Sequence, residues 1–228
     1  MAMDPINLFK IIAAIITVII AFIVGFYELR LNPHNWLNRW FFLFFISIAL
    51  GFLAYTVYHL ITFNSRVIIP IMITAQIFFN FIPISLVMTV LILEKYQKVA
   101  LSLKYLGTMI ALFIIMSFGY FIWVPKLIME DYNKGIVNTE TERGLQIFVN
   151  LLRIVLFAYV VYKYAKITKK IEKETKRRVQ WLFGGIILAI VGLLFNLIGG
   201  IQEEILFEIF ALIAIDIGMV LIFKGFLI

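Results

Sequence analysis

The chain has 228 residues, of which 64% are hydrophobic, and its mean hydropathy is +1.05. Soluble domains are about half apolar, so this composition excludes an ordinary soluble protein. The absence of cysteine excludes disulfide frameworks, thiol catalysis and cysteine-ligated metals. The net charge of +7 does not indicate a nucleic-acid partner, because the basic residues lie at the ends of apolar segments, where membrane orientation explains them.

Seven apolar segments are long enough to cross a bilayer as helices. In chain order they cover residues 6–29, 39–61, 67–93, 99–124, 144–164, 179–201 and 205–223. The strands of a membrane barrel alternate apolar and polar residues, whereas these segments are solidly apolar. The sequence therefore predicts an all-α integral membrane bundle of seven transmembrane helices. It forms a single domain over residues 1–228, with no cofactor and no metal site.

The basic residues predict which side of the membrane each connection faces. If the connection between the first two segments is cytoplasmic, most lysines and arginines lie in the cytoplasm, which is the arrangement that membrane proteins favour. The N-terminus is then outside the cell membrane and the C-terminus is cytoplasmic. Lys163, Lys166, Lys170 and Lys173 follow helical spacing, which predicts that the fifth helix continues past the bilayer. This basic surface would bind either anionic lipid or an acidic partner.

Charged residues inside the predicted spans are costly, so they are expected to pair or to serve a function. Arg153 lies near the middle of the fifth span, and Asp216 lies near the middle of the seventh. Gln146, Asn150 and Arg153 fall at i, i+4 and i+7, on one face of a helix. This polar face starts at the predicted outer surface and ends near the membrane midplane.

Polar residues of other spans could meet this face and form a funnel that opens to the outside. The predicted ligand-binding residues are His59, Gln76, Asn80, Asn150, Arg153, Asn196 and Glu208. Two interpretations stay open for Arg153. It forms either a structural ion pair with Asp216 or Glu208, joining the fifth and seventh spans, or the floor of a pocket where it binds an anionic group bidentately.

Small residues recur along the sixth span at spacings of three and four. These residues are Gly185, Ala189, Gly192, Asn196 and Gly199. Small residues let helices approach closely in membranes, so the pattern predicts a packing seam between two helices.

Motifs of several membrane-protein classes are missing from the chain. A retinal protein needs a lysine deep in its last span, and Lys224 lies only at the predicted cytoplasmic end. The zinc-protease, P-loop and serine-hydrolase motifs are absent, and no nucleophile-base pair or metal cluster is evident within the spans. The sequence therefore predicts a protein that is not an enzyme.

Two stretches at the predicted cytoplasmic side carry a family resemblance. Residues 32–41 read Asn-Pro-His-Asn-Trp-Leu-Asn-Arg-Trp-Phe, and residues 176–185 read Lys-Arg-Arg-Val-Gln-Trp-Leu-Phe-Gly-Gly. They resemble junctions in the seven-helix N-terminal sensor module of prokaryotic histidine kinases and related signalling proteins. That family commonly has Asn-Pro, a short gap and Asn-Arg before an aromatic-rich helix, and an Arg-x-Gln stretch followed by glycine. The topology of that family, with the N-terminus outside and the C-terminus inside, also matches the topology predicted for this chain.

The resemblance implies a sensory role, with Asn32, Pro33, Asn38 and Arg39 coupling the membrane bundle to the cytoplasm. Asn32 and Pro33 are suited to a turn, and Asn38 and Arg39 to bonding exposed carbonyls at a helix end. The family fuses this module to an output domain, and this sequence stops at Ile228. The expectation is therefore either a stand-alone relative or an excised sensor module.

The sequence thus favours a membrane sensor that binds a small or lipid-like ligand in its outer half. Its expected partners are membrane lipid, an unidentified small molecule and a cytoplasmic signalling protein, with no nucleic acid. A homodimer is left open, because no dimer face is evident. One alternative is a small transporter or channel that uses Arg153, Glu208 and Asp216. Another is a scaffold for partner helices, in which the small-residue seam of the sixth span would face lipid.

Overall fold

The computed structural model describes residues 4–61, 64–169, 173–202 and 204–227. Over these residues the chain is an all-α bundle, and seven of its helices are long and apolar enough to cross a membrane. The helices are α1 (Pro5–Leu31), α2 (Trp36–Leu60), α3 (Ile68–Lys95), α4 (Gln97–Ala100), α5 (Leu103–Ile122), α6 (Met129–Asn133), α7 (Arg143–Thr168), α8 (Lys173–Gln202) and α9 (Ile205–Leu227). The predicted fold class is confirmed, and α4 and α6 are short additions to it.

The ends of the long helices differ from the predicted spans where local chemistry overrides hydropathy. The fourth span was predicted over 99–124, but α5 begins only at Leu103. Tyr96 has a φ of 61° and ends α3, and α4 forms a separate turn before α5 starts. The start of α8 at Lys173 precedes the predicted span, because helical turns outside the lipid need not be apolar.

The predicted extension of the fifth helix is confirmed only in part. The helix α7 continues past residue 164 to Thr168. Lys170 lies outside the described residues, and Lys173 begins α8 rather than continuing α7. The spacing of these lysines therefore spans two helices, not one.

Six of the long helices form a closed ring. Going around it, α1 packs on α2, α2 on α3, α3 on α7, α7 on α8, α8 on α9, and α9 returns to α1. The helix α5 packs against α3 and α7. Because α1 and α5 present many large apolar side chains outward, among them Ile19, Ile23, Phe118 and Phe121, the outer surface of the bundle suits lipid.

The two ends of the bundle differ in structure. At the end where α1 begins, called the loop end here, β1 (Lys126–Leu127) pairs antiparallel with β2 (Thr139–Glu140). The chain between these strands forms α6 and turns at Gly135, whose φ of 85° suits a glycine. At the opposite end, called the basic end, lie the α1–α2 connection and the basic start of α8. The sequence predicts that the loop end faces outward.

The small-residue seam of α8 packs against α9. An added Cβ at Gly185 would lie 2.5 Å from the carbonyl oxygen of Gly218, and one at Gly192 would lie 2.9 Å from that of Ala211. One at Gly199 would lie 2.8 Å from Phe207 Cβ. The predicted packing seam is confirmed. The scaffold alternative is wrong in its requirement that the seam face lipid.

The close approach of α8 and α9 predicts that Gly185→Ala destabilises the protein by about 1–3 kcal/mol, because the new methyl meets a backbone carbonyl that cannot rotate away. Thermal unfolding in detergent measures the change. The matched control is Gly107→Ala on α5, where an added Cβ meets only Leu103 at 3.6 Å and helix propensity favours alanine. Equal effects of the two substitutions would contradict the seam.

Candidate functional site

A cavity of about 570 Å³ lies within the ring. Its walls come from α2, α3, α7, α8 and α9, with Tyr120 of α5 and part of the segment between α5 and α7. The polar side chains that line it in the bundle are Tyr55, Tyr58, His59, Gln76, Tyr120, Gln146, Asn150, Arg153, Asn196 and Glu208. The volume is typical of pockets for small organic ligands.

Arg153 is the buried cation of this cavity. It lies on α7, about 15 Å along the axis from the start of the helix, and is 6% exposed. Its Nε and Nη2 donate to Asn80 Oδ1 at 3.0 and 2.6 Å, and Nη2 also donates to Gln76 Oε1 at 2.9 Å. Nη1 donates to Asn150 Oδ1 at 3.3 Å. The helical spacing of Asn150 and Arg153 thus places both side chains in one network.

A second layer of polar groups supports this network from α5. Asn80 Nδ2 donates to Ser117 Oγ at 3.3 Å, and Tyr120 Oη donates to Gln76 Oε1 at 3.2 Å. These bonds orient the amide oxygens of Asn80 and Gln76 toward the guanidinium. The position of Arg153 is therefore fixed from two helices, α3 and α7, with α5 behind α3.

The predicted ion pair of Arg153 with Asp216 is wrong. Among the residues that the structure describes, Arg153 has no carboxylate partner, and its bonds go to amide and backbone oxygens. Asp216 instead accepts a hydrogen bond from Thr17 Oγ1 of α1 at 2.5 Å and does not line the cavity. The prediction failed because the side of α9 that carries Asp216 packs against α1 and not against α7.

Glu208 is not the counter-ion of Arg153 either. Its carboxylate pairs with Lys10 Nζ of α1 at 2.5 Å and accepts from Tyr55 Oη of α2 at 2.7 Å. Tyr55 also offers its carbonyl oxygen to His59 Nδ1 at 2.9 Å. The negative charge of Glu208 is thereby neutralised within the bundle. It ties together α1, α2 and α9 at the loop end.

Lys10 is a functional residue that the sequence did not single out, and its side chain is fully buried. A signal was present, because Asn7 and Lys10 lie three residues apart and so share one face of α1. Asn7 is also fully buried and donates from Nδ2 to the carbonyl oxygen of His59 at 2.8 Å. Tyr55, four residues before His59, was missed as well.

Most of the predicted binding residues do converge. The cavity is lined by His59, Gln76, Asn150, Arg153, Asn196 and Glu208. Asn80 does not line it but holds Arg153 from behind, and Asn150 donates to Asn196 Oδ1 at 3.5 Å. The geometry of the predicted funnel is thus present, and ligand binding by these residues stays a prediction.

The loop end of the cavity carries a rim of mixed charge. The charged residues there are Asp131, Glu140, Arg143 and Glu204. The neighbouring Glu142 caps α7, with its Oε2 accepting from Leu145 N at 2.7 Å. Backbone hydrogen bonds from Leu145 and Gly144 lower the pKa of the Glu142 carboxyl. A carboxylate at this point also stabilises the partial positive charge of the helix N-terminus.

The basic end of the cavity is apolar. Its side chains there include Phe44 and Ile48 of α2, Phe157 of α7, and Ile222 of α9. Beyond Phe44, the aromatic ring of Phe226 on α9 packs edge-on against the rings of Phe41 and Phe45 on α2. The cavity therefore changes from polar to apolar along the bundle axis, with Arg153 on the polar side of the change.

The predicted coupling residues build the α1–α2 connection. Asn32 Oδ1 accepts from His34 N at 3.2 Å, and Arg39 Nε donates to the carbonyl oxygen of Pro33 at 2.7 Å. Asn38 Nδ2 donates to the carbonyl oxygen of Glu28 at 3.0 Å. The expected turn is confirmed, and so is the bond of Asn38 to a carbonyl at a helix end, whereas Arg39 bonds within the connection instead. A role in coupling stays a prediction.

No protein-family model matches this chain, and no curated protein matches it. The resemblance to the sensor modules of histidine kinases therefore remains an expectation from residues 32–41 and 176–185.

The pairing of Lys10 with Glu208 predicts that Lys10→Met destabilises the protein, because it leaves a carboxylate without its cation inside the bundle. The expected loss is about 3 kcal/mol, at the low end for a broken buried pair, since the Glu208 side chain keeps 25% of its surface exposed. Thermal unfolding in detergent measures it, and adding Glu208→Gln should restore most of the loss.

The matched control is Lys134→Met, which breaks the exposed pair of Lys134 with Glu130 at 2.9 Å. Exposed ion pairs contribute little, so no measurable change is expected there. A parent-like stability of Lys10→Met would show that the Lys10–Glu208 pair does not hold the three helices together.

Proposed function

We propose that this membrane protein is a sensory module that binds a small or lipid-like ligand in the cavity and signals from the basic end. The observation that carries the proposal is Arg153, a buried cation that lines the cavity and has only neutral oxygen partners in the described part of the chain. A charge that lacks a counter-ion in a low-dielectric site is a strong attractor for an anion. Intramembrane ionisable residues are functional candidates for the same reason.

The polarity of the cavity supports a pocket more than a transport pathway. A pathway needs polar groups along its whole length, whereas the basic side of the cavity is lined by groups such as Phe157, Ile186 and Ile222. Asp216, which a pathway would use, bonds to Thr17 and does not line the cavity. A ligand would therefore enter a closed-ended site rather than cross the bundle.

The helix α2 offers a physical route for a signal. Its Tyr55, Phe52 and Phe44 line the cavity, and its first residues form the α1–α2 connection at the basic end. Asn38 bonds to Glu28 at the end of α1, and Arg39 bonds to Pro33 within the connection. A ligand that displaced α2 would have to rearrange these hydrogen bonds, which lie where the sequence predicts the cytoplasm.

Native mass spectrometry of the protein in mild detergent tests the proposal on the parent and on Arg153→Ala. We expect the parent to retain a small molecule or lipid at defined stoichiometry and Arg153→Ala to lose it, because the anion loses its cation. The matched control is Arg66→Ala, which removes an exposed arginine at the same end of the bundle and should leave retention unchanged.

The transporter alternative is decided by flux. Reconstituted in liposomes, a sensor carries no retained molecule across the membrane, whereas a transporter does so and loses flux in Arg153→Ala. Such flux would overturn the sensory proposal. A parent that retains nothing would also count against it, and would leave Arg153 as a structural group of the α3–α7 contact.

A further inference from the structure

Resting on the proposed function, we infer that the ligand is a single-chain anionic amphiphile. Its carboxylate or phosphate head bonds to Arg153, and its hydrocarbon tail lies in the apolar half of the cavity toward the basic end. The inference joins two observations, which are the unneutralised guanidinium and the one-sided distribution of apolar lining residues. Together they define both ends of the ligand.

The head assignment follows from the donors of Arg153. Nε and Nη2 are taken by Asn80 and Gln76, while Nη1 makes one bond, at 3.3 Å, to Asn150. Since each Nη carries two N–H groups, Nη1 keeps a donor for a ligand. Hydrogen bonds between a guanidinium and an oxyanion are shorter and stronger than bonds to neutral amides, so an anion would compete well for this side of Arg153.

The other charges of the cavity do not cancel this preference. Glu208 is the carboxylate of the inner lining, and its charge is already paired with Lys10 and bonded to Tyr55. Glu140 and Glu204 at the rim are exposed, so water and salt screen them. The rim carboxylate of Asp131 accepts a hydrogen bond from Asn138 Nδ2 at 3.1 Å. Among the described residues that line the cavity interior, Arg153 is therefore the charge that has no counter-ion.

The tail assignment follows from the cavity wall beyond Arg153. On α2, the lining runs from Phe52 to Phe44, about 12 Å along the helix axis. On α8 it includes Ile186 and Ala189, and on α9 it reaches Ile222. The lining residues in this half are apolar, which favours methylene groups and disfavours a hydrophilic ligand such as a sugar or a free amino acid.

Binding of dodecyl probes tests the inference directly on the full chain in mild detergent. Native mass spectrometry gives apparent dissociation constants for dodecanoate, dodecyl phosphate and the neutral dodecanol. We expect at least one anionic probe to bind about tenfold to a hundredfold more tightly than dodecanol, as expected for a buried charge-assisted bond. The tighter of the two anions identifies the head as carboxylate or phosphate.

Variants separate binding at Arg153 from partition into the micelle. Arg153→Gln should abolish the preference for the anion over dodecanol, and Arg66→Gln, at an exposed site, should keep it. If Arg153→Gln does not fold, Arg153→Lys replaces it. Lysine keeps the charge but loses the planar fork, so a reduced preference for the anion is expected. An unchanged preference in a folded Arg153→Gln overturns the head assignment.

Chain length tests the tail. For carboxylates from six to about twelve carbons, each added methylene should tighten binding about threefold to fourfold until the apolar half is filled. Ile48 of α2 lines this half, so Ile48→Phe should shift the optimum to a shorter chain. An affinity that does not depend on chain length would overturn the tail assignment.

Failure of this inference differs from failure of the proposed function. Equal binding of dodecanol and both anions, or binding of none of them, overturns the amphiphile assignment. The proposed function would still stand if the purified protein retains another molecule that Arg153→Ala loses. It fails if the parent retains nothing, if Arg153→Ala keeps the retained molecule, or if the protein transports what it binds.

Discussion

Arg153 is a buried cation that the described part of the chain surrounds with amide oxygens rather than carboxylates. Amides orient the guanidinium and satisfy most of its donors without cancelling its charge. A carboxylate in the same place would make a closed ion pair and leave nothing for a ligand. The proposed ligand site requires the first arrangement, and the described residues around Arg153 have it.

Lys10 shows the other solution in the same molecule. It is buried, like Arg153, but its charge meets Glu208 directly. That pair joins α1 to α9, closing the ring opposite α3 and α7, and Tyr55 extends it to α2. Because removal of one partner of a buried pair is costly, we expect Lys10 and Glu208 to have a structural role. In the described part of the chain, one buried cation thus pairs with a carboxylate, whereas the other has only neutral oxygen partners.

The fold was predictable from the sequence because lipid imposes a simple constraint. Each span must be helical and apolar over a fixed length, so hydropathy locates the seven helices without any knowledge of their packing. The predicted limits of α5 and α8 were less accurate. The chain leaves the helical conformation at Tyr96 before α5 begins, and α8 begins at Lys173, before its apolar segment. Hydropathy carries no information on either event.

For the candidate site, the sequence predicted which residues share a face of one helix, but not which helices those faces contact. Spacing placed Asn150 and Arg153 on one face, and that part was right. It could not show which neighbour each face meets. Glu208 and Asp216 lie eight residues apart, which turns their side chains about 80° relative to each other around α9. The predicted depth of Asp216 in the membrane suggested that it pairs with Arg153. Its side chain instead points toward α1 and accepts a hydrogen bond from Thr17.

Under the proposed function, α2 is the helix that would transmit a structural change from the cavity to the basic end. This helix contributes Tyr55 to the Glu208 cluster, Phe52 and Phe44 to the cavity wall, and Asn38 to the α1–α2 connection. A tail in the apolar half would press on Phe44, about one and a half turns from Arg39 along the helix. Phe44 also stacks edge-on with Phe45, and Phe45 contacts Phe226 near the end of α9. A change at Phe44 would therefore reach the first part of α2 and the last part of α9, both at the basic end, through direct contacts between side chains.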